Sequence, residues 1–335
     1  MNQTTKPPVV VITGASAGVG RATVRRFAQS GAHIGLLARG LDGLEAARAE
    51  VEQAGGKALV LPTDVSDAEA VEAAAEAVTN EFGPIDIWVN NAMVSVFSPV
   101  KQMEAEEYRR VTEVTYLGYV YGTLAALKRM LPRDRGMIVQ VGSALSYRAI
   151  PLQSAYCAAK HAIEGFSESL RTELIHDKSR VQVTLVHLPA LNTPQHGWSK
   201  SRMPHKAQPV PPIYQPELAA EAVYHAAYHY RREWTLAMIT DIVLFGNKLA
   251  PGFADWYVAK TGYESQMTSE PEDPDRPHNL WTPLPGDQGA HGRFDDRAKT
   301  KCFQWWLTTN RTWLAWTGAA IVVLCVAVAA AYGFR

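Results

Sequence analysis

Apolar runs of strand length alternate with longer helical patterns up to about residue 190, and this alternation limits the fold more than any other feature. The runs are PPVVVITG, HIGLLAR, KALVLPTD, PIDIWVNNA, GMIVQVGS and RVQVTLVHLPA. Strands that are apolar on both faces and separated by helices are typical of a parallel sheet covered on both sides. Because crossovers between parallel strands are right-handed, we expect a doubly wound α/β sheet, the Rossmann fold.

The helical patterns between and after these runs have lengths that suit such crossovers. We expect helices ending at Ala28 and over Leu41 to Ala54, Ala68 to Phe82, Glu104 to Leu131, Leu152 to His176 and Glu217 to Arg232. Residues 195–216 break the pattern with Pro, His and Lys. A long irregular segment inside a regular fold is often functional, and we interpret this one as a cover over the substrate.

The chain divides into three parts by composition. Residues 1–261 form the expected Rossmann-fold domain, and residues 262–304 are rich in turn formers and resemble a linker. Trp281 and Phe294 are unusual in a solvated tether, so part of the linker is expected to dock onto the domain. Residues 305–335 are interpreted as a membrane anchor.

The anchor prediction rests on the run from Trp313 to Tyr332, which carries no charge and has Trp and Tyr at its edges. This run is long enough to cross a hydrocarbon core of about 30 Å, and a buried core helix is the alternative. Lys299, Lys301 and Arg311 precede it, while Arg335 alone follows it. The excess of basic residues before the run places the domain on the cytoplasmic side of a single-pass protein.

Composition excludes two classes of protein. The acidic and basic residues balance at 33 each, so no nucleic-acid partner is expected. The three cysteines form no CxxC pair, which indicates a reducing compartment without a disulfide framework. His225 and His229 are four residues apart, but no third ligand accompanies them, and no metal is expected.

The segment TGASAGVGRAT marks a dinucleotide site where the first strand passes into the first helix. Gly14, Gly18 and Gly20 allow a tight turn and a close approach of backbone N–H groups to a pyrophosphate at the helix N-terminus. Ser16 and Val19 belong to the same turn. The alternative is an ordinary glycine-rich turn.

Residues after the second and third strands indicate which dinucleotide binds. Ala38 stands where an acid would accept hydrogen bonds from a ribose 2′-hydroxyl, and Arg39 follows it. A guanidinium favours a 2′-phosphate, so NADP is preferred to NAD, with Arg21 as a possible assistant. Asp64 is a candidate for the adenine amino group. A solvated Arg39 and a helix-capping Asp64 remain the alternatives.

Tyr156 and Lys160 in YCAAK are four residues apart and therefore share a helix face. A phenol has a pKa near 10, and a nearby ammonium group would lower it toward the range useful in proton transfer. Ser143, at the end of the run GMIVQVGS, is placed to donate a hydrogen bond to a substrate carbonyl.

The order and intervals of TGASAGVG, NNA, Ser143 and the YxxxK pair resemble those of the short-chain dehydrogenase/reductases over residues 7–250. The resemblance implies that Tyr156 is the general acid or base, that Lys160 lowers the pKa of Tyr156 and holds the nicotinamide ribose, and that Ser143 polarises the carbonyl. Its other implied site residues are Asn90, which supports the central strand, and the cofactor contacts Asn91, Pro189, Leu191 and Thr193. It also implies a dimer or tetramer formed through long helices beside the sheet.

Three positions depart from the family pattern. Met93 and Ala190 stand where glycine is common, and Thr115 stands where an asparagine often anchors a water leading to the lysine. Thr115 is kept as a catalytic candidate because a hydroxyl both donates and accepts.

The sequence therefore predicts a membrane-anchored, NADP-preferring oxidoreductase that acts on a carbonyl or secondary alcohol, with a lipophilic substrate favoured by the anchor. The alternative is a catalytically weak dinucleotide-binding scaffold or sensor at the membrane.

Overall fold

The computed structural model describes residues 6–311. Its strands are β1 (Val9–Thr13), β2 (His33–Ala38), β3 (Lys57–Pro62), β4 (Ile87–Asn90), β5 (Val96–Phe97), β6 (Gly136–Ser143), β7 (Val181–Leu188), β8 (Lys200–Ser201), β9 (His205–Ala207), β10 (Glu233–Thr235) and β11 (Met267–Pro271). Its helices are α1 (Gly18–Ala28), α2 (Leu41–Gln53), α3 (Ala68–Phe82), α4 (Ala105–Thr112), α5 (Gly118–Met130), α6 (Ser154–His176), α7 (Gln195–Trp198), α8 (Pro216–Tyr228), α9 (Met238–Leu249) and α10 (Pro251–Thr261), and residues 303–311 are also helical.

A seven-stranded parallel sheet in the order β10-β7-β6-β4-β1-β2-β3 forms the centre of the molecule. The predicted α/β class with a parallel, doubly wound sheet is confirmed. The strand order reverses between β1 and β4, and a crevice opens there at the carboxyl ends of the strands. This geometry places the glycine-rich turn, Asn91 and the end of β6 along one edge of the sheet.

Two buried clusters cover the faces of the sheet, because its strands are apolar on both sides. One joins the sheet to α1, α2 and α8 through residues such as Phe27, Leu44 and Val223. The other joins it to α3, α5 and α6 through residues such as Val78, Met130 and Leu170.

The region expected to be one helix from Glu104 to Leu131 consists of α4, a π-helical turn over Glu113–Leu117, and α5. Single π-helical turns inside helices are frequent at functional sites. The helix expected over Glu217 to Arg232 ends at Tyr228, because Glu233–Thr235 pairs with β7 as the edge strand of the sheet.

Residues 272–298, which we call the strap, lie within the segment predicted as a linker and pack against the domain. Leu280, Ala290 and Phe294 are buried, whereas Trp281 is about half exposed. Just before the strap, β11 pairs with β9 in an antiparallel ribbon. The strap therefore belongs to the folded surface over its described length.

The predicted membrane span from Trp313 to Tyr332 lies outside the described residues. Between residues 6 and 311, no helix combines the length and the apolar character that crossing a membrane requires.

Candidate active site

The glycine-rich turn has a backbone that other residues would not tolerate. Gly14 and Gly18 adopt φ angles of +67° and +56°, in the left-handed region. A Cβ at Gly20 would lie 2.0 Å from the carbonyl oxygen of Gly14. The turn is thus drawn tightly against the start of α1, which leaves a cradle of backbone amides suited to a pyrophosphate.

A groove runs from this turn along the carboxyl ends of β2, β3 and β4. Its wall contains these predicted cofactor residues: Gly14, Ser16, Gly18, Val19, Arg39, Asp64, Asn91 and Thr193. Gly20 lies behind the wall and shapes the turn. Asn91 is fixed by a hydrogen bond from its Nδ2 to the carbonyl of Thr13, 3.0 Å long.

Asn90, the neighbour of Asn91, is fully buried and belongs to the sheet rather than to the groove wall. Its Nδ2 donates to the side chain of Gln140 at 2.9 Å, and its Oδ1 accepts from the indole of Trp88 at 2.8 Å. Asn90 therefore supports the central strands.

The strap forms part of the groove wall through Asn279, Pro283, Leu284, Gly286 and Gln288. The Arg39 guanidinium donates to the carbonyls of Asn279 at 2.5 Å and of Trp281 at 2.9 Å. Gly18 N–H donates to the carbonyl of Gly289 at 3.0 Å. The strap is thus bonded both to the predicted phosphate-binding arginine and to the glycine-rich turn.

The side chains of Arg21 and Asp64 are engaged by other protein groups, but Asp64 also lines the groove, and its contact with adenine stays a prediction. Arg21 is buried and bonds Glu50 at 2.8 Å, so it is directed away from a 2′-phosphate. Asp64 bonds Arg110 at 2.5 Å. Burial by itself would raise the pKa of Asp64, but hydrogen bonds from Arg110 and Ser66 outweigh burial and keep the pKa below its usual value.

A second cavity of about 470 Å³ adjoins the groove and contains Ser143, Tyr156, Lys160, Pro189 and Leu191 in its wall. The two cavities share Val19, Asn91, Met93, Thr193 and Gln195. The predicted catalytic trio therefore lies next to the place where the nicotinamide end of a dinucleotide in the groove would arrive.

Most of the remaining wall of the second cavity is apolar. The segment predicted to cover the substrate contributes Gln195, His196 and residues 208–212, and α9 and α10 contribute Ile239, Val243, Tyr257 and Val258. An apolar cavity with a few polar groups at one end is the usual form of a site for a small, lipophilic molecule.

The environment of Tyr156 raises its pKa instead of lowering it. Burial is the main cause, and a hydrogen bond with Ser143 opposes it only in part. Lys160 is not among the groups that shift the pKa of Tyr156 in this geometry, so its predicted effect on the phenol stays a prediction for the dinucleotide-bound protein. Tyr156 holds its proton at neutral pH, which is the form that a general acid requires.

Lys160 is almost fully buried and its amine is directed at Tyr119 and Val141. The Nζ atom donates to Tyr119 Oη at 3.0 Å and to the Val141 carbonyl at 2.7 Å. It lies 5.6 Å from the ring centre of Tyr156. Burial lowers the pKa of Lys160 to about 7, so the positive charge beside Tyr156 is present only in part at neutral pH.

Thr115 lies in the π-helical turn and is bonded to a loop, not to Lys160. Its hydroxyl donates to the Val94 carbonyl at 2.9 Å and accepts from Val94 N–H at 3.1 Å. Tyr119, one helical turn later, is the residue that meets Lys160. Sequence reasoning missed Tyr119; its spacing of four from Thr115 on a helical pattern was the available signal.

Sequence reasoning also missed a buried cluster of His187, Glu164 and Glu233, in which Glu164 belongs to α6, the helix that carries Tyr156. His187 Nε2 is 3.6 Å from Glu164 Oε2 and 3.5 Å from Glu233 Oε2. Glu233 also accepts from Tyr147 at 2.7 Å and pairs with Arg232. Burial raises the pKa of Glu164, whereas hydrogen bonds, first from His187, hold the pKa of Glu233 well below normal. Tyr147 and Arg232 thus satisfy Glu233, whereas both carboxylate oxygens of Glu164 are buried without a hydrogen-bond partner among the described residues.

Comparison with known proteins agrees with this site. The family described as short chain dehydrogenase matches residues 8–203. The chain belongs to the short-chain dehydrogenase family. It is similar to an uncharacterised oxidoreductase, YxnA, of Bacillus subtilis, with 33% identity over 328 residues that cover 97% of this chain and 91% of the relative. These likenesses identify the protein as an NAD(P)-dependent dehydrogenase or reductase.

Two further relatives of this short-chain dehydrogenase have informative names. A fatty acyl-CoA reductase of Acinetobacter baylyi is 31% identical over 223 residues, which cover 66% of this chain and 73% of the relative. The structure of an alcohol dehydrogenase from the archaeon Thermococcus sibiricus, complexed with 5-hydroxy-NADP, matches with a TM-score of 0.59 and 31% identity, covering 68% of this chain and 95% of that chain.

Proposed function

We propose that the protein is an NADP-preferring reductase of carbonyl groups in lipophilic molecules, held at a membrane with its domain on the cytoplasmic side. The observation that carries the proposal is the position of Ser143, Tyr156 and Lys160 in the wall of an apolar cavity that adjoins the dinucleotide groove. The fatty acyl-CoA and alcohol substrates in the names of its relatives support this substrate class.

The residues of the groove fit a dinucleotide. The glycine-rich turn lies at the N-terminus of α1, which suits a pyrophosphate, and a Cβ at Gly20 would collide with the Gly14 carbonyl and distort the turn. A phosphate that binds the Gly18 N–H would replace the carbonyl of Gly289 in the strap. A bound nicotinamide cofactor supplies or accepts the hydride. Ser143 donates a hydrogen bond to the substrate oxygen, and Tyr156 Oη transfers its proton to that oxygen as negative charge develops there. Lys160 and Tyr119 extend the polar path behind Tyr156.

Because burial raises the pKa of Tyr156, the residue is protonated near neutral pH, which is the form that carbonyl reduction needs. Alcohol oxidation needs the phenolate as base, whereas carbonyl reduction needs the phenol as acid. Alcohol oxidation is therefore expected to gain rate as the pH rises.

Two features of the groove support NADP. Ala38 presents no carboxylate to repel a 2′-phosphate, and Arg39 lies in the wall beside it. A guanidinium has five N–H donors, and the bonds to the strap leave donors for a phosphate. The strap carbonyls hold Arg39 in place, which reduces the entropy lost when a phosphate binds.

The membrane role is proposed from sequence. The uncharged run from Trp313 to Tyr332 follows the basic residues Lys299, Lys301 and Arg311, and this order favours a single span with the domain in the cytoplasm. Protease protection of an epitope placed after Arg335, in sealed membranes, tests the orientation.

Activity is tested with full-length protein in detergent, NADPH, and ketones and aldehydes of increasing chain length. We expect NADPH oxidation that rises with chain length. Tight NADPH binding without turnover on any carbonyl would refute the reductase proposal and favour a dinucleotide sensor. Equal rates for all chain lengths would refute the lipophilic substrate class alone.

A further inference from the structure

Helix α9 exposes a continuous apolar stripe to solvent. Met238, Ile242, Phe245 and Leu249 follow one another at intervals of four, three and four, and Leu249 is 85% exposed. The other side of the helix is also apolar, since Ile239 and Val243 line the substrate cavity. Asp241, Asn247 and Lys248 lie on the remaining side, so α9 is apolar both toward the cavity and toward solvent. An amphipathic helix normally turns its apolar residues toward the core, and the exposed stripe is therefore a candidate binding surface.

Two neighbouring segments extend this stripe. On α10, Phe253 and Trp256 are exposed, with ring centres 5.7 Å apart. In the helical residues 303–311, Phe303 and Trp306 are exposed, with ring centres 6.0 Å apart. We call these exposed side chains of α9, α10 and residues 303–311 the apolar face.

The helical residues 303–311 are fastened beside α9 by Gln304. Its amide oxygen accepts from Ala237 N–H at 3.0 Å, and its amide nitrogen donates to Asp241 Oδ2 at 3.1 Å. Asp241 is therefore satisfied by protein and does not interrupt the stripe with a free carboxylate. The contacts place the last described helix on the same side of the molecule as α9.

The exposed aromatic side chains of the apolar face alone reach the upper end of the patch sizes found on soluble monomers. Its five aromatic side chains, Phe245, Phe253, Trp256, Phe303 and Trp306, are 47–71% exposed. At roughly 200 Å² for each side chain, they alone present on the order of 600 Å². A typical monomer has a largest patch of about 300–600 Å², and patches of this size are commonly binding surfaces.

We propose that the apolar face lies in the outer part of a lipid bilayer, so that the substrate cavity opens toward lipid. Chain continuity favours lipid over a second copy of the chain: the uncharged run begins at Trp313, two residues after residues 303–311 end. Lys248 and Lys260, near the ends of α9 and α10, are positioned for anionic headgroups.

Substrate entry follows from the position of α9 and α10 between the cavity and the apolar face. Val243 and Val258 line the cavity on their inner sides, while Phe245 and Phe253 lie on the outer face. A lipophilic molecule that passes between these helices reaches Tyr156 without crossing water. This second step rests on the proposed reductase activity, whereas the lipid contact rests only on the proposed membrane anchor.

Spin labelling tests the lipid contact independently of turnover. Full-length protein with Cys302→Ser and Cys325→Ser is labelled at Phe245→Cys or Phe253→Cys in vesicles of phosphatidylcholine and phosphatidylglycerol. Leu41→Cys and Val100→Cys are matched controls, because both are exposed apolar positions outside the long helices expected to form an oligomer.

We expect collisions with oxygen to exceed collisions with a water-soluble nickel chelate at positions 245 and 253, and the reverse at the controls. Equal nickel access at all four positions would overturn the proposal. Spin–spin broadening at 245 and 253 would overturn it in favour of a dimer interface.

Kinetics tests the entry route. Phe245→Ser with Phe253→Ser is expected to raise KM at least tenfold for a long-chain ketone dissolved in vesicles, with KM unchanged for a short water-soluble ketone. Leu124→Ser should change neither value. Entry from lipid would be overturned if the KM of the double variant for the vesicle ketone stayed within twofold of the wild-type value. It would also be overturned if the KM values for both ketones rose together. An absence of turnover in wild type would instead refute the proposed function and leave the labelling result valid.

Discussion

Replacement of Arg39 by Ala tests two proposed roles of this residue, holding the strap in place and binding the 2′-phosphate of NADP. Arg39 donates hydrogen bonds to the carbonyls of Asn279, Leu280 and Trp281, about 240 residues away in sequence. The same guanidinium is proposed to hold the 2′-phosphate of NADP. Its loss should therefore loosen the strap and also weaken NADPH more than NADH.

The magnitude follows from the two short bonds, of 2.5 and 2.9 Å, and the partial exposure of the site. Hydrogen bonds to a charged group contribute about 1.5–3 kcal/mol each, and the exposed carbonyls regain part of this from water. A loss of about 2–4 kcal/mol in strap docking corresponds to a roughly 30- to 800-fold increase in strap opening, at about 1.4 kcal/mol for each factor of ten. One lost phosphate contact lowers NADPH affinity by a further factor of about 10–100.

Hydrogen exchange of residues 279–289 measures strap opening, and calorimetry with NADPH and NADH measures affinity. Arg39→Lys should fall between wild type and Arg39→Ala, because lysine keeps the charge but loses the planar fork. Leu280→Ala is the matched control: it removes a buried strap side chain outside the groove wall and should weaken both dinucleotides equally.

Two results would refute this reasoning. Unchanged hydrogen exchange of the strap in Arg39→Ala would show that the bonds of Arg39 to the strap do not stabilise its docking. An equal loss of NADPH and NADH affinity in Arg39→Ala, as in Leu280→Ala, would show that Arg39 acts through the strap and does not select the phosphate.

Three further changes test other parts of the site. Because burial lowers the pKa of Lys160 to about 7, the lysine loses its charge as the pH rises through that value. The kcat/KM for reduction should therefore fall near pH 7 in wild type but not in Lys160→Met. A fall that persists in Lys160→Met would assign the pH dependence to another group. Gly20→Ala should abolish binding of both dinucleotides in calorimetry, because its Cβ would lie 2.0 Å from the Gly14 carbonyl oxygen. The control Gly165→Ala, whose Cβ would lie in open space on α6, should bind both normally. Tight dinucleotide binding by Gly20→Ala would contradict the proposed role of the glycine-rich turn. Thr115→Asn should keep activity, because an amide can replace both hydrogen bonds of the hydroxyl. Thr115→Val should lose about 1–3 kcal/mol of unfolding free energy in urea. A folded but inactive Thr115→Asn variant would reveal a specific catalytic role for the hydroxyl.

The parts of the site that the sequence predicted are those set by local geometry. Gly14 and Gly18 have positive φ angles within one short turn, and Ser143 ends a strand whose apolar pattern is visible in the sequence. The spacing of Tyr156 and Lys160 fixes their shared helix face, whatever packs around them.

The parts that were not predicted depend on contacts between distant segments. The strap has the composition of a tether, but bonds to distant residues such as Arg39, Arg110 and Gly18, together with its buried side chains, hold it on the groove. The direction of the Lys160 amine depends on Tyr119 from another helix. Burial of Tyr156, which reverses the expected pKa shift, is a property of the assembled cavity and has no periodic pattern in the sequence.

The central claim is that Tyr156 supplies the proton in carbonyl reduction. Single-turnover stopped-flow measurement of NADPH oxidation compares wild type with Tyr156→Phe, which keeps the ring and removes the hydroxyl. The account predicts a loss of about 10²- to 10⁴-fold in the rate of NADPH oxidation with an unchanged NADPH dissociation constant. A Tyr156→Phe variant that reduces the ketone within tenfold of the wild-type rate would contradict it.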